Sequence, residues 1–251
     1  MQDTITSIYC LCADFLHAMN YTDDPQTKLS SAEVMTVQLV AACFFGGNIN
    51  RSRLFLLDHG YITCSVSESR LNRRLQALPI SLWRTLFSLL GQVFKQHNPT
   101  SEFAVDSLPV PACDNISIKR CRLLRGEEHR GYLASKRRYF FGLKVHLLIT
   151  GQGEPVEFVL VPGSQADISA FKQFDLDLPA GSVIHADRAY TDYAEEDLLQ
   201  DAGSITLQPQ RKKNSKRALP RWCEFLSKPV RHASKQPLAR LLNSFPSTSM
   251  P

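Results

Sequence analysis

Two aspartates stand in matching places: Asp106 in "FAVDS" and Asp187 in "VIHAD" each end a short apolar run that reads as a β-strand. A carboxylate there is costly to bury alone and calls for a partner, a proton or a metal ion. One such aspartate is usually a turn former. Two in the same context, with basic runs nearby, are better explained by a shared divalent cation. On neighbouring strands their mutual repulsion makes a cation nearly obligatory. Carboxylate oxygens without a His/Cys cluster select Mg²⁺ or Mn²⁺ over zinc. Two such ions about 3.5–4 Å apart can activate water and steady the leaving oxygen of a phosphodiester.

The charge pattern points to the same class of substrate. The net charge is only +5, but Lys119 to Arg138 holds eight Lys/Arg against two Glu, and Arg211 to Arg221 holds six against none. One basic run is usually a solvated face. Two runs flanking candidate acidic-site strands fit a polyanion, with nucleic acid as the first candidate. The seven cysteines are scattered. The lone CxC of Cys10 and Cys12 is a poor zinc signal, and buried reduced thiols are expected. No apolar run approaches the roughly 18 residues of a membrane span, and the N-terminus lacks the order of a signal peptide. A cytoplasmic protein is expected.

The elements that must position these residues change character along the chain. Residues 1–98 read as helical. "TITSIYCLCADFLHAM" repeats apolar residues at spacings of three and four. "LSSAEVMTVQLVAACFFGG" offers Ser31 as N-cap and Gly46 and Gly47 as a stop. "SVSESRLNRRLQAL" gathers Arg70, Arg73 and Arg74 on a basic helix. Helix, turn and basic helix suggest a helix-turn-helix DNA reader; a plain bundle with a basic surface fits equally well. "HNPTSE" (97–102) makes a boundary. Strands follow: "FAVDSLPV", then a hairpin of "RRYFFGLKVHLLIT" and "VEFVLVPG" around "GQGEP". A short helix "DISAFKQF", the strand of Asp187, the helix "TDYAEEDLLQDAG" and the strand "SITLQPQ" complete a mixed α/β sheet.

"AVDSLPVPACDN", "RGYLASKRRYFFGLKVHLLIT", "VPGSQADISAF" and "HADRAYTDY", in this order and spacing, resemble the catalytic domain of bacterial insertion-sequence transposases of the DDE class. The resemblance covers roughly residues 101–231. It implies an RNase H-like fold over about 99–231, preceded by a DNA-binding helical region. It also implies metal-dependent cleavage at transposon ends and attack of the freed 3′-hydroxyl on target DNA. Asp106 and Asp187 match the first two acids of the triad, ligands for two Mg²⁺ or Mn²⁺ ions. Lys136, Arg137, Arg138 and Lys144 of the "SKRRYFFGLKVH" strand are the expected phosphate contacts, with Arg211, Lys212 and Lys213 in the second basic run. The implied partners are terminal inverted repeats and target DNA, with a homo-oligomer assembled on them and no membrane.

The third acid, a Glu in an "ETTF"-like stretch, is missing. Ser234 to Pro251 contains no Asp or Glu, three prolines and four serines. Glu224 lies upstream of the expected place, and Pro229 opposes a long helix from there. Codons for Ser234–Arg240 can be chosen so that the next frame reads Ile-Glu-Thr-Thr-Phe-Ser-Lys. The tail (232–251) is therefore expected to be a frameshift product that does not fold, leaving the site incomplete and the chain inactive. A non-catalytic DNA-binding remnant and a metal-dependent nuclease are the alternatives.

Other residues have simpler explanations. Asp167 reads as a helix N-cap and Asp114 as a turn former. His146 and His185 read as core or edge histidines, and Tyr190, Tyr193 and Trp222 as packing residues.

Overall fold

The computed structural model describes residues 1–113, 115–133, 137–211 and 215–217. They divide into two compact units, 1–86 and 87–217.

The first unit is helical: α1 (Gln2–Ala18), α2 (Ser31–Phe44), α3 (Ile49–Asp58), α4 (Glu68–Ala77) and the start of α5 (Ile80–Gln96). α2 is apolar on nearly every side and is the central helix, burying Ala32, Val34, Met35, Val37, Val40 and Ala41. Such a sequence must be surrounded, and α1, α3 and α4 all pack on it. The N-cap of α2 is Ser30, not Ser31. Ser30 Oγ accepts from the Glu33 N–H at 3.2 Å, and Glu33 Oε2 accepts from the Ser30 N–H at 2.7 Å. Both donors at the helix entry are thereby satisfied. Ser31 is used elsewhere: its hydroxyl donates to Asp23 at 2.6 Å.

The helix that follows α2 across a tight turn is α3. The turn holds Gly46 and Gly47 at φ 57° and 82°, and the two helices meet at 110°. Positive φ carries little strain at glycine. Helix-turn-helix geometry therefore belongs to α2 and α3, whereas the basic α4 comes one helix later, after a longer link. The sequence pattern missed this because α3, "INRSRLFLLD", is short and weakly apolar.

The second unit is a six-stranded mixed sheet. Its strands are β1 (Glu102–Cys113), β2 (Arg130–Leu133), β3 (Arg138–Thr150), β4 (Pro155–Pro162), β5 (Val183–Ala186) and β6 (Thr206–Pro209). β1, β3 and β4 form an antiparallel meander; β5 and β6 add to the other side of β1 in parallel. β2, absent from the sequence reading, pairs with the first residues of β3. α6 (Asp167–Phe171) leads towards β5, and α7 (Tyr193–Gly203) crosses from β5 to β6.

Alternation along the strands makes two cores. Phe103, Val105, Leu148, Ile184 and Ala186 face Phe171, Phe174 and Tyr190. Ala104, Leu108, Leu147 and Ile149 pack with Phe87 and Phe158. The unit division falls inside α5, ahead of the expected boundary at "HNPTSE", because the second half of α5 packs on the sheet. Phe87 meets Phe158 edge-on with centroids 5.0 Å apart. A Cβ on Gly91 would stand 2.3 Å from the Val156 carbonyl oxygen, so the close approach requires glycine.

Among the described residues no single helix is long and apolar enough to cross a membrane. The six described cysteines are thiols, and only Cys12 is buried, contrary to the expected buried set. Residues two apart on a helix face different ways, so Cys12 turns inward and Cys10 outward. Burial pushes the Cys12 thiol up to about 11.

Candidate metal centre

Asp106 lies inside a strand. β1 continues to Cys113, paired with β3 up to an irregularity between Pro111 and Cys113, and Asp106 stands opposite Leu147. The expected strand end at Asp106 is therefore corrected. Pairing with β5 stops at Ala104, so beyond that point β1 is paired on one side only, where Pro109 and Pro111 are tolerated without an N–H. The Ser107 N–H donates to Asp106 Oδ1 at 2.8 Å.

Asp187 does follow the end of its strand. Its backbone remains extended (φ −80°, ψ −179°), and its Oδ1 accepts from the Ala189 N–H at 2.7 Å. It thereby caps the 3₁₀ turn Arg188–Tyr190. The parallel register pairs Ala104 with His185. Asp106 and Asp187 each lie two residues beyond that pair, past the point where the pairing stops. The two candidate ligands thus follow the same cross-strand pair, Asp106 within β1 and Asp187 just after β5.

A third carboxylate, Asp167, also bears on Tyr190. The buried Tyr190 phenol is driven well above its ordinary pKa, first by burial and then by the charges of Asp167, Asp106 and Asp187. All three acids therefore bear on one hydroxyl. Asp167 is not the N-cap of α6; that position is Ala166, without a side-chain cap. Asp167 instead accepts from Lys144 Nζ at 2.9 Å and stands 3.8 Å from His146 Nε2. Lys144 also donates to the Gln165 carbonyl at 2.8 Å. Expected as a phosphate contact, it is turned inward, sharing the face of His146 at the strand period. His146 is wholly buried, and its Nδ1 lies 2.8 Å from the Tyr190 hydroxyl. Burial lowers its pKa to about 4, Asp167 opposing and Lys144 assisting.

Two hard carboxylates on adjacent strands are suitable donors for Mg²⁺ or Mn²⁺. No third His, Cys, Asp or Glu joins them among the described residues. Asp114, Trp222, Glu224 and the tail lie outside the described residues.

The basic residues separate into two kinds. Arg137, at φ 48°, and Arg138 are exposed at the turn into β3. Lys119, Arg120, Arg122 and Arg125 line an open cavity of about 650 Å³ that Phe141 also lines. Along β3, Phe141 lies roughly 20 Å from Leu147, the residue opposite Asp106. Arg211 behaves otherwise. Its side chain is 6% exposed and donates to Glu196 Oε2 at 2.6 Å. Arg211 and Arg217 stand over the Tyr193 ring at 5.2 and 4.9 Å, so Tyr193 packs against cations. Lys136, Lys212 and Lys213 lie outside the described residues.

The family model of the transposase DDE domain matches residues 96–228. The chain belongs to this family. DDE transposase domains are in general divalent-metal dependent, and the match spans Asp106, Asp187 and the network around Tyr190. Among solved structures, the chain is similar to a piggyBac transposase in a synaptic complex with hairpin DNA, at 14% identity and a TM-score of 0.37. That match covers 87% of this chain and 51% of the other, so this chain spans about half of that relative's length. Comparison with curated proteins gives no match.

Proposed function

We propose that this chain derives from an insertion-sequence DNA transposase that cleaves transposon ends and transfers the 3′-hydroxyl to target DNA. The observation that supports this reading is that Asp106 and Asp187 each follow, by two residues, the paired Ala104 and His185 of the parallel strands β1 and β5, within the matched domain. In it, residues 1–98 form a helical DNA-binding region, 99–231 an RNase H-like catalytic domain and 232–251 an aberrant tail. Asp106 and Asp187 hold Mg²⁺ or Mn²⁺. When bound, such ions polarise the scissile phosphodiester and activate the attacking oxygen. Arg137, Arg138 and the Lys119–Arg125 cavity hold the DNA backbone, with Lys136, Lys212 and Lys213 assigned the same role. The partners are terminal inverted repeats and target DNA, bound by a cytoplasmic, nucleoid-associated homo-oligomer.

One observation favours a second reading, a DNA-binding remnant without catalysis: no third ligand accompanies the two aspartates among the described residues. We assign the missing acid to the alternative frame, which places a Glu near position 234. The test compares the 251-residue chain with a version read in that frame from about Arg231. Both are incubated in Mg²⁺ and Mn²⁺ with DNA carrying the sequences that flank the reading frame. Cleavage and strand transfer by the restored chain alone supports both the transposase and the frame assignment. Equal cleavage by both overturns the frame assignment and directs attention to Glu224. Cleavage without end specificity supports a nuclease. Salt-sensitive binding with no cleavage by either chain supports the remnant.

A further inference from the structure

Tyr190 and His146 have no exposed surface, yet each places a polar group in the core. Hydrophobic replacements of similar shape are often neutral or stabilising at such positions, so packing alone does not explain a phenol facing an imidazole. What the pair joins is specific. Tyr190 closes the 3₁₀ turn that Asp187 caps. Its hydroxyl meets His146 Nδ1 on β3 at 2.8 Å and bonds the side chain of Ser107, the residue after Asp106 on β1. Ser107 and His146 are themselves cross-strand partners. One buried hydroxyl therefore connects the Asp187 turn to both strands that place Asp106.

We propose that Tyr190 and His146 are positioning residues for the candidate metal centre, fixing the separation of Asp106 and Asp187. A cation held by two carboxylates from different strands depends on their spacing, and a hydrogen bond behind the ligands sets it. The hydrogens can be arranged in one direction. The Ser107 hydroxyl donates to Tyr190, Tyr190 donates to His146 Nδ1, and the His146 Nε2–H faces Asp167, which Lys144 neutralises. The lowered imidazole and raised phenol pKa values agree with this: both groups are neutral at pH 7, as the order of donors requires. Lys144 and Asp167 are paired at 2.9 Å beyond His146 Nε2, which stands 3.8 Å from Asp167.

This inference rests on the reading that Asp106 and Asp187 bind a divalent ion, and the experiment separates the two. Mn²⁺ binding to the full chain is followed by electron paramagnetic resonance of the free ion, with thermal unfolding measured in parallel. Asp106→Asn and Asp187→Asn are the reference variants; Tyr190→Phe and His146→Leu remove the link. His146→Asn keeps a polar group near the Nδ1 position. Tyr190→Phe and His146→Leu are expected to weaken Mn²⁺ binding about tenfold or more, with the protein still folded at the assay temperature and partial recovery in His146→Asn. If the aspartate variants lose Mn²⁺ binding and Tyr190→Phe stays within twofold of the unaltered chain, the positioning role is overturned and the metal reading stands. If the unaltered chain binds no Mn²⁺, or the aspartate variants bind as well as it does, the metal reading fails and the inference fails with it.

Discussion

Both units tie separate elements together through a partly or wholly buried polar cluster, and the two clusters differ in what surrounds them. In the helical unit, Arg74 of α4 donates to Asp23 at 2.8 Å, to Ser31 Oγ at 3.2 Å and to the Leu29 carbonyl at 3.3 Å. Burial would raise the Asp23 carboxyl, but the Ser31 hydroxyl and N–H, with Arg74, hold it below its ordinary value. The cluster contains one carboxylate and one guanidinium, which balance each other in charge. In the sheet unit the Tyr190–His146–Asp167–Lys144 relay also pairs a carboxylate with a cation. Beside it, however, stand Asp106 and Asp187, whose charges also bear on the Tyr190 hydroxyl. A self-balanced cluster is a staple; one bordered by additional like charges is a candidate site.

Acid should distinguish the clusters most strongly. An unfolded histidine takes up a proton near pH 6.5, whereas buried His146 does so only near 4. Between those values the unfolded chain binds the extra proton, so stability falls as pH falls, by about 1.4 kcal/mol per pH unit at full effect. His146→Asn should flatten that part of a stability–pH profile obtained from urea melts. An unchanged slope would mean that His146 is protonated in the fold. Asp23 acts lower. Its depressed carboxyl contributes stability that is present above the unfolded value of 3.8 and lost as pH falls through the lower folded one.

Breaking the staple should cost less and leave metal untouched. Arg74→Met removes three hydrogen bonds and the cation beside a half-buried carboxylate that Ser31 alone then holds, at a cost of about 2 kcal/mol. Urea melts would measure this, and Mn²⁺ binding should be unaltered. A change in metal affinity would contradict the separation of the two clusters.

The two kinds of cation provide a finer contrast. Reversing the exposed pair, Arg137→Glu with Arg138→Glu, should weaken DNA binding and lower the salt slope by about two. Lys144→Met should leave that slope unchanged, because its ammonium is committed to Asp167 and Gln165. Equal slopes for both variants would erase the distinction. Tyr190→Phe leaves the buried His146 Nδ1 without its partner and should cost about 1–3 kcal/mol in the same urea melts. A loss well beyond that would make Tyr190 chiefly a structural staple.

Local chemistry made much of the molecule readable. The β3–β4 hairpin, the helix α7 and the strand before Asp187 follow from apolar period and turn residues, which act over a few neighbours. Side chains whose roles depend on distant partners were less readable. Lys144 and Arg211 look like surface cations in their own segments; Asp167 and Glu196 withdraw them from solvent. Asp106 looked like a strand end because β3, which carries β1 on to Cys113, lies some forty residues away.

By itself the sequence determined the mixed α/β class, the two acids and the positive charge that suits a polyanion, because residue type and short-range period are local properties. Only the tertiary structure decided that the strands leading to Asp106 and Asp187 pair in parallel, that Arg137 and Arg138 remain exposed, and that Tyr190 touches both β1 and β3. Register across a parallel pair depends on a crossover that no local pattern encodes, and the burial of a cation depends on whether a carboxylate from another element comes to meet it.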